Sequence, residues 1–344
     1  MRTPTAKTRP HRQSRAQSLS AIDIDKCENL CDLLDALSTA SFGAREVGRA
    51  WSVLKNVASD KECDIVLTVS GAMTVAKLGS IFGALISRGI IKAVVTTGAV
   101  VTHGLIEEMG MKHYRVPTEF SDADLFRTRF NRIYDTLEPE SNLNALERSA
   151  INAFSELAPG QSLGSFEIVR YLSDKLLNNQ APDGFLRSAF KKRIDVYVPA
   201  FTDSELGLYL FRYAQSKRKE QQVIGYDAFK DLARYASWLS SRKRIAFLTL
   251  GGGVPRNWAQ QMLPYLRSSE KKPSNKSLPK IVAAIRICPD QASLGHLSGS
   301  TYSEGITWGK FKDEDKTDFV EVACDATVVF PILAKALTTY WDAR

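Results

Sequence analysis

Short apolar, β-branched runs recur along the chain, and most are followed by small or polar residues and then by a helical pattern. The runs occupy residues 64–69, 92–96, 194–198, 244–250, 281–287 and 319–323. They are apolar throughout rather than alternating, which is typical of strands buried on both faces. The sequence therefore predicts a doubly wound, Rossmann-like α/β fold, with a mostly parallel sheet and helices on both faces.

Polar or glycine-containing turns follow four of the predicted strands. They are Ser70-Gly71, Thr97-Gly98, Thr202-Asp203 and the triple glycine at 251–253. Because the carboxyl ends of parallel strands meet at one crevice, we expect these turns to converge there. Free backbone N–H groups and helix N-termini stabilise anionic oxygens, so such turns suit a dinucleotide or another phosphate ligand. Neither GxGxxG nor a Walker A motif is present, so tight turns without a ligand remain the alternative.

Three segments depart from the repeating pattern. Residues 1–22 carry five basic side chains and no acid, and without a clear apolar face they predict a disordered tail rather than a transit peptide. Residues 118–190 predict a helical insertion within a single α/β domain that spans residues 23–344. Residues 268–279 are polar and aperiodic, so we expect an exposed, mobile loop there.

The charge of the chain is concentrated outside the predicted core. The 344 residues contain 46 Lys and Arg against 38 Asp and Glu, a formal charge of +8. The tail carries +5 and residues 267–280 carry +4, so the rest of the chain is close to neutral, which disfavours a nucleic-acid groove built into the fold. The longest uncharged apolar run, residues 93–106, is too short to span a bilayer. We therefore expect no specific nucleic-acid partner and no membrane partner.

The cysteines predict reduced thiols. There are five, an odd number, and none forms a CxxC pair, as expected of a cytoplasmic protein. Cys27 and Cys31 lie four residues apart, but the four histidines form no ligand spacing with them. Packing is therefore favoured over metal binding, and the sequence predicts no metal site.

Residues 295–310 combine small and hydroxyl-bearing residues with Trp308 and Lys310, which are separated by one glycine. A lysine in a water-poor pocket has a lowered pKa, and its neutral amine can attack a carbonyl or imine carbon. Trp308 could hold a ligand cation against its ring, a contact worth about 0.5–2 kcal/mol. The alternative is that Trp308 belongs to the core and that Lys310 is a solvated surface charge.

Other ionisable side chains lie near the predicted crevice. His103 is a candidate general base, with a hydrogen-bonded core histidine as the alternative. The nearest carboxylates are Asp203, Glu205, Glu304 and Asp325. They are candidates for holding substrate ammonium groups, and for Asp203 helix capping is the alternative.

The motifs, taken in order, resemble the deoxyhypusine synthase family over about residues 40–340. The most specific pieces are residues 303–310 (Ser-Glu-Gly-Ile-Thr-Trp-Gly-Lys) and 322–331 (Val-Ala-Cys-Asp-Ala-Thr-Val-Val-Phe-Pro). Further matches are residues 94–98, 198–203 with Leu206-Gly207, and 250–254. The resemblance implies NAD as cofactor and a homotetramer with sites at subunit interfaces. It also implies oxidation of spermidine, transfer of an aminobutyl unit through a lysine imine to an acceptor amine, and a cycle that is redox-neutral overall.

The resemblance also implies roles for individual residues. Lys310 matches the imine-forming lysine, and Trp308 matches the aromatic residue beside the polyamine. His103, Asn257 and Glu304 are further candidate substrate contacts, of which His103 and Asn257 replace polyamine contacts of the family. NAD contacts are implied for Ser70, Thr74, Thr97, Gly98, Asp203, Gly251, Gly252, Asp325 and Ala326.

Four positions depart from the polyamine contacts of the eukaryotic enzyme. His103 stands in place of a glutamate, Leu208 of an acidic residue, Asn257 of a histidine and Leu297 of an aspartate. Each lost charge-assisted hydrogen bond is worth about 1.5–3 kcal/mol, so the donor is left open between spermidine and a related amine. The pattern is that of the bacterial deoxyhypusine synthase-like branch. Two alternatives remain: homospermidine synthase-like transfer to a free diamine such as putrescine, and a non-catalytic NAD-binding protein.

Overall fold

A computed structural model describes residues 18–177, 183–217, 224–268, 278–312 and 316–344. In chain order its strands are β1 (Cys63–Val69), β2 (Ile91–Thr96), β3 (Tyr114–Arg115), β4 (Phe130–Ile133), β5 (Thr136–Pro139), β6 (Ser162–Leu163), β7 (Val196–Tyr197), β8 (Gly225–Tyr226), β9 (Arg244–Leu250), β10 (Lys280–Ile287) and β11 (Asp318–Val322). Its helices are α1 (Leu30–Leu37), α2 (Phe42–Ser59), α3 (Gly79–Ser87), α4 (Gly98–Glu108), α5 (Asp122–Arg127), α6 (Glu140–Ser155), α7 (Ser165–Leu176), α8 (Phe185–Lys192), α9 (Glu205–Lys217), α10 (Ala228–Ser240), α11 (Val254–Ser268), α12 (Glu304–Thr307) and α13 (Ala326–Asp342).

The main sheet confirms the doubly wound prediction. Its six strands lie in the order β11-β10-β9-β1-β2-β7, and every neighbouring pair is parallel. If these six strands alone are numbered from 1 to 6 in chain order, their spatial order from β7 to β11 is 3-2-1-4-5-6. This order reverses direction between β1 and β9. Ligands of such sheets bind where the order reverses, outside the carboxyl ends of the strands. The two central strands end in register, with Val69 opposite Leu250.

Both faces of this sheet are covered, which is why its strands carry apolar side chains at successive positions. Along β1, Ile65, Leu67 and Val69 belong to one apolar cluster, whereas Val66 belongs to a second. Successive side chains of a strand point to opposite faces, so two clusters mean two buried faces. Full burial of such a side chain stabilises the fold by about 1.5–3 kcal/mol.

Five of the six predicted strands agree with the structure to within one residue at each end, and the third does not. Residues 194–198 are predicted as a strand, but only Val196–Tyr197 pairs with the sheet, opposite Val94 and Val95. This strand lies at the edge and has one neighbour. Asp195 beside it is bound by two arginines rather than by a second strand, with Arg170 at 2.7 Å and Arg234 at 2.8 Å.

The segment at residues 118–190 contains helices α5, α6, α7 and most of α8, together with three short strands that the sequence did not predict. Strands β4 and β5 form a hairpin, and β5 pairs with β3 to complete a three-stranded antiparallel sheet. Both hairpin strands have four residues, and two of the four in β4 are exposed polar residues, Asn131 and Arg132. They therefore lack the apolar run that identifies buried strands.

The remaining segment predictions fall partly outside the described residues. Residues 1–17 of the tail and residues 269–277 of the loop lie outside them, and residues 18–22 are exposed and without regular structure. Within the described ranges, no helix combines the length and apolarity needed to cross a membrane. The five cysteines are free thiols.

Candidate active site

Three of the predicted crevice turns are joined by hydrogen bonds where the strand order reverses. The Ser70 hydroxyl accepts a bond from the backbone N–H of Gly252 at 2.9 Å, which ties the end of β1 to the end of β9. The Thr97 hydroxyl donates to the carbonyl of Gly71 at 2.7 Å, and it also accepts from the N–H of Val100 as the N-cap of α4. The structure therefore brings Ser70, Thr97 and Gly252 together at the carboxyl ends of neighbouring strands.

The next predicted turn packs directly against Gly98. A Cβ placed on Gly98 would lie 2.1 Å from the Cβ of Ser204, so the turn around Thr202-Asp203 adjoins the start of α4. The capping alternative for Asp203 is not supported, because Ser204 accepts the N–H of Gly207 in the first turn of α9. Thr74 is fully buried and donates to the carbonyl of Val100 at 2.9 Å, which fixes α4 beneath the crevice.

Asp325 and Ala326 lie at the edge of the sheet that is opposite β7. Asp325 is the N-cap of α13 and accepts the N–H of Thr327 at 2.7 Å, and Ala326 is the first residue of that helix. Their strand, β11, is separated from β1 by β10 and β9. Among the described residues, no hydrogen bond joins Asp325 or Ala326 to the turns at β1 and β9.

Lys310 lies in a second part of the site, a cavity of about 560 Å³ between α11 and residues 297–310. Its Nζ donates to Oδ1 of Asn257 at 2.7 Å. Asn257 lies in the first turn of α11, the helix that follows the glycines at 251–253, so the cavity adjoins the end of β9. Burial lowers the pKa of Lys310, and the nearby positive charge of Arg256 lowers it further, whereas Glu304 opposes the shift. The half-buried position and the bond to Asn257 disfavour the alternative of a solvated surface charge.

The segment that carries Lys310 is fixed by buried polar groups. The guanidinium of Arg256 donates to the carbonyls of Leu297 and Ser300 at 2.6 and 2.8 Å. The phenol of Tyr302 is buried and reaches the carbonyl of Ile285 at 3.1 Å. Gly309 has a φ of +66°, a conformation that glycine adopts without strain, and it turns the chain between Trp308 and Lys310.

Three of the other predicted substrate contacts line this cavity, and the fourth, His103, does not. Asn257, Glu304 and Trp308 line the cavity, and the core alternative for Trp308 is wrong because the side chain is 72% exposed. Hydrogen bonds from Thr301 lower the pKa of Glu304. His103 does not line the cavity; it is buried beside His113 and Glu138. Sequence reasoning missed Arg256 and Gln260, which also line the cavity, because nothing in their local sequence marks them.

A doubly wound sheet with polar turns at its switch point, and a cavity at the end of β9 that holds a half-buried lysine, defines an α/β protein with a candidate enzyme site. Residues 32–337 match the family model described as deoxyhypusine synthase, so the chain belongs to the deoxyhypusine synthase family. "Probable deoxyhypusine synthase 2" of Archaeoglobus fulgidus is 28% identical over 301 residues, which cover 88% of this chain and 95% of the relative. "Probable deoxyhypusine synthase" of Methanothermobacter thermautotrophicus is 29% identical over 324 residues, 93% and 98% of the two chains.

The fold itself recurs in a solved structure. The crystal structure of an Entamoeba histolytica protein assigned as a deoxyhypusine synthase superposes with a TM-score of 0.61. The match covers 92% of this chain and 96% of the other at 15% identity. At that identity the likeness concerns the fold, and it agrees with the family assignment made from sequence.

The environment of Lys310 predicts an unusual titration. Because burial and Arg256 disfavour the ammonium form, we expect the Lys310 amine to titrate below the ordinary lysine value of 10.5. The measurement is the pH dependence of reductive ¹³C-methylation, with the Lys310 signal assigned by its loss in Lys310→Ala. A Lys310 midpoint at or above 10.5 would contradict this geometry.

Proposed function

We propose that this chain is an NAD-dependent aminoalkyl transferase in which Lys310 forms an imine with a carbon unit taken from a polyamine donor. The observation that carries the proposal is the half-buried Lys310 amine, which has a lowered pKa and is held by Asn257 in the cavity beside α11. The neutral amine is the form that attacks an electrophilic carbon. Trp308 is proposed to contact the donor through its ring face, and Glu304 through its carboxylate.

The residues of the crevice fit NAD, which is the cofactor we propose. Support comes from the strand order, because dinucleotides bind at the switch point that Ser70 and Gly252 border here. When bound, NAD would accept a hydride from the donor amine and would later return a hydride to the product. The residues proposed to hold it are Ser70, Thr97, Gly98, Asp203, Gly251, Gly252, Asp325 and Ala326, with Thr74 acting by fixing α4.

Lys310 carries the covalent steps of the proposed reaction. Its nitrogen forms a bond to the oxidised carbon of the donor, while the bond from that carbon to the remaining amine breaks and the amine leaves. An acceptor amine then attacks the same carbon, and Lys310 departs with its electron pair and is regenerated. Asn257 accepts a hydrogen bond from the lysine and so positions the nitrogen. Because Lys310 is half-buried in the cavity, access of water to the imine is limited.

We also propose a cytoplasmic homotetramer with its sites at subunit interfaces. Support comes from apolar side chains that the single chain leaves exposed, namely Trp308 at 72%, Leu208 at 57% and Leu297 at 44%. Trp308 and Leu297 both line the Lys310 cavity, so a neighbouring subunit would close it. Light scattering should give about four times the 38.2 kDa of one chain, and a monomer at micromolar concentration would contradict the proposal.

The experiment that tests the function uses the full chain with NAD and a panel of polyamines. We expect NADH formation with the true donor, and a borohydride-stabilised adduct on the peptide that contains Lys310. Addition of putrescine decides between acceptors, because transfer to the free diamine gives a product with the mass of homospermidine. NAD binding with no NADH and no adduct across the panel would instead define a non-catalytic NAD-binding protein.

A further inference from the structure

Three side chains meet at one point outside the Lys310 cavity. They are His103 on α4, His113 just before β3, and Glu138 on β5. Glu138 Oε2 lies 3.1 Å from His103 Nδ1 and 2.6 Å from His113 Nε2, and the two ring nitrogens are 3.2 Å apart. All three side chains are at least nine-tenths buried, with exposed fractions of 7%, 1% and 1%. The His103–His113–Glu138 cluster is therefore compact and shielded from water.

The neighbours of the cluster orient its donor atoms. Asn142 Nδ2 donates to Glu138 Oε1 at 2.6 Å, which occupies one carboxylate oxygen and leaves Oε2 directed at the two histidines. On the other side, Lys77 Nζ lies 3.0 Å from His113 Nδ1 and 3.5 Å from Glu107 Oε1. The Asn142 contact is of the kind that holds metal-binding side chains in place in proteins.

The spacing of the three donors suits a small divalent cation. A tetrahedral zinc ion binds nitrogen and oxygen at about 2.0–2.2 Å, which sets its ligands about 3.3 Å apart. Two of the three separations here, 3.1 and 3.2 Å, are close to that value. The third, 2.6 Å between His113 Nε2 and Glu138 Oε2, is a hydrogen-bond length and must open when a cation replaces the shared proton.

We propose that His103 Nδ1, His113 Nε2 and Glu138 Oε2 bind one divalent cation of the zinc class. Two imidazoles and one carboxylate form a ligand set that zinc and similar first-row metals accept. Coordination through Nε2 leaves the proton of His113 on Nδ1, so the Lys77 ammonium turns from that nitrogen toward Glu107. The cation would join α4 of the main layers to the antiparallel sheet of β3, β4 and β5.

The test measures metal binding by the folded full chain, independently of transferase activity. The chelator-stripped protein is titrated with Zn²⁺ against a chromophoric competitor, and we expect about one equivalent per chain. His113→Gln and Glu138→Gln should weaken binding at least about 100-fold, since each removes a ligand. His296→Gln is the matched control, because His296 is 62% exposed and lies outside the cluster, and it should bind as the wild type does.

Two outcomes would overturn the proposal. One is a folded wild-type chain that takes up less than a tenth of an equivalent; the other is equal Zn²⁺ affinity in the wild type and both variants. Because the variants remove buried polar contacts and could unfold, X-ray absorption of the zinc-loaded wild type provides a second measurement. It should show imidazole scattering with nitrogen and oxygen at about 2.0–2.1 Å, whereas sulfur at about 2.3 Å would place the metal at cysteines and overturn the assignment.

Discussion

Lys310→Ala should abolish transfer while leaving nucleotide binding intact. The substitution removes the only nitrogen of the cavity that our proposal uses to form a covalent bond, so we expect transfer to fall at least about 10³-fold. The proposed NAD residues lie on other segments, and the described hydrogen bond of the Lys310 side chain is to Asn257. The affinity for NAD should therefore change by less than about twofold. Product mass spectrometry measures transfer, and fluorescence titration measures NAD binding.

The matched control for this variant is Lys335→Ala, which removes an exposed lysine from the surface of α13 and replaces it with a good helix former. It should keep wild-type transfer and wild-type borohydride labelling. Lys310→Arg retains the positive charge but cannot form the imine, so it should be as inactive as Lys310→Ala. Transfer within tenfold of wild type in either Lys310 variant would rule out the imine on this residue.

The main sheet could be predicted because one physical property marks its strands. Runs such as residues 64–69 are buried on both faces, and that burial requires apolar side chains at successive positions. The hairpin of β4 and β5 lacks this mark, since its strands have only four residues each and contain exposed or charged side chains. The helix after β1 was predicted to follow Ser70-Gly71 directly, but α3 begins only at Gly79, because the intervening residues form tight turns that include Lys77 at a φ of +66°.

The candidate site was predictable only where neighbouring residues carry it. Trp308, Gly309 and Lys310 are adjacent in sequence, and the strand-end turns follow from the sheet topology. The His103–His113–Glu138 cluster was missed, and the sequence predicted no metal site, because its members are separated by 10 and 25 residues. The unpredicted hairpin is the element that brings Glu138 to the two histidines. Long-range contacts of this kind depend on packing, which local spacing does not encode.

Gly252→Ala should damage both the fold and the nucleotide crevice. A Cβ on Gly252 would lie 2.5 Å from the Cα of Ser298 and 2.7 Å from its Cβ. Rotation of a side chain cannot relieve a contact with backbone, and Ser298 is held in place because its carbonyl accepts a bond from Arg286. Either the Ser298 segment or the turn after β9 must move. We expect the free energy of unfolding to fall by about 1–3 kcal/mol.

The same displacement should weaken NAD binding. The N–H of Gly252 donates to the Ser70 hydroxyl, so movement of the glycine breaks the link between the two turns at the switch point. We expect at least about a tenfold loss of NAD affinity, equal to about 1.4 kcal/mol. Chemical denaturation measures the stability, and fluorescence titration measures the affinity.

Alanine substitutions at two other glycines are controls that separate steric crowding from the other effects of an added methyl group. Gly43→Ala places its Cβ in open space on α2 and should leave both measurements unchanged or slightly raise stability. Gly253→Ala also points into open space, but its φ of +66° adds strain of about 1–2 kcal/mol without a steric contact. Gly252→Ala could instead have the same free energy of unfolding and the same NAD affinity as the wild type. The close approach of Ser298 to this turn would then be wrong, and so would the proposal that the paired turns of β1 and β9 hold the nucleotide.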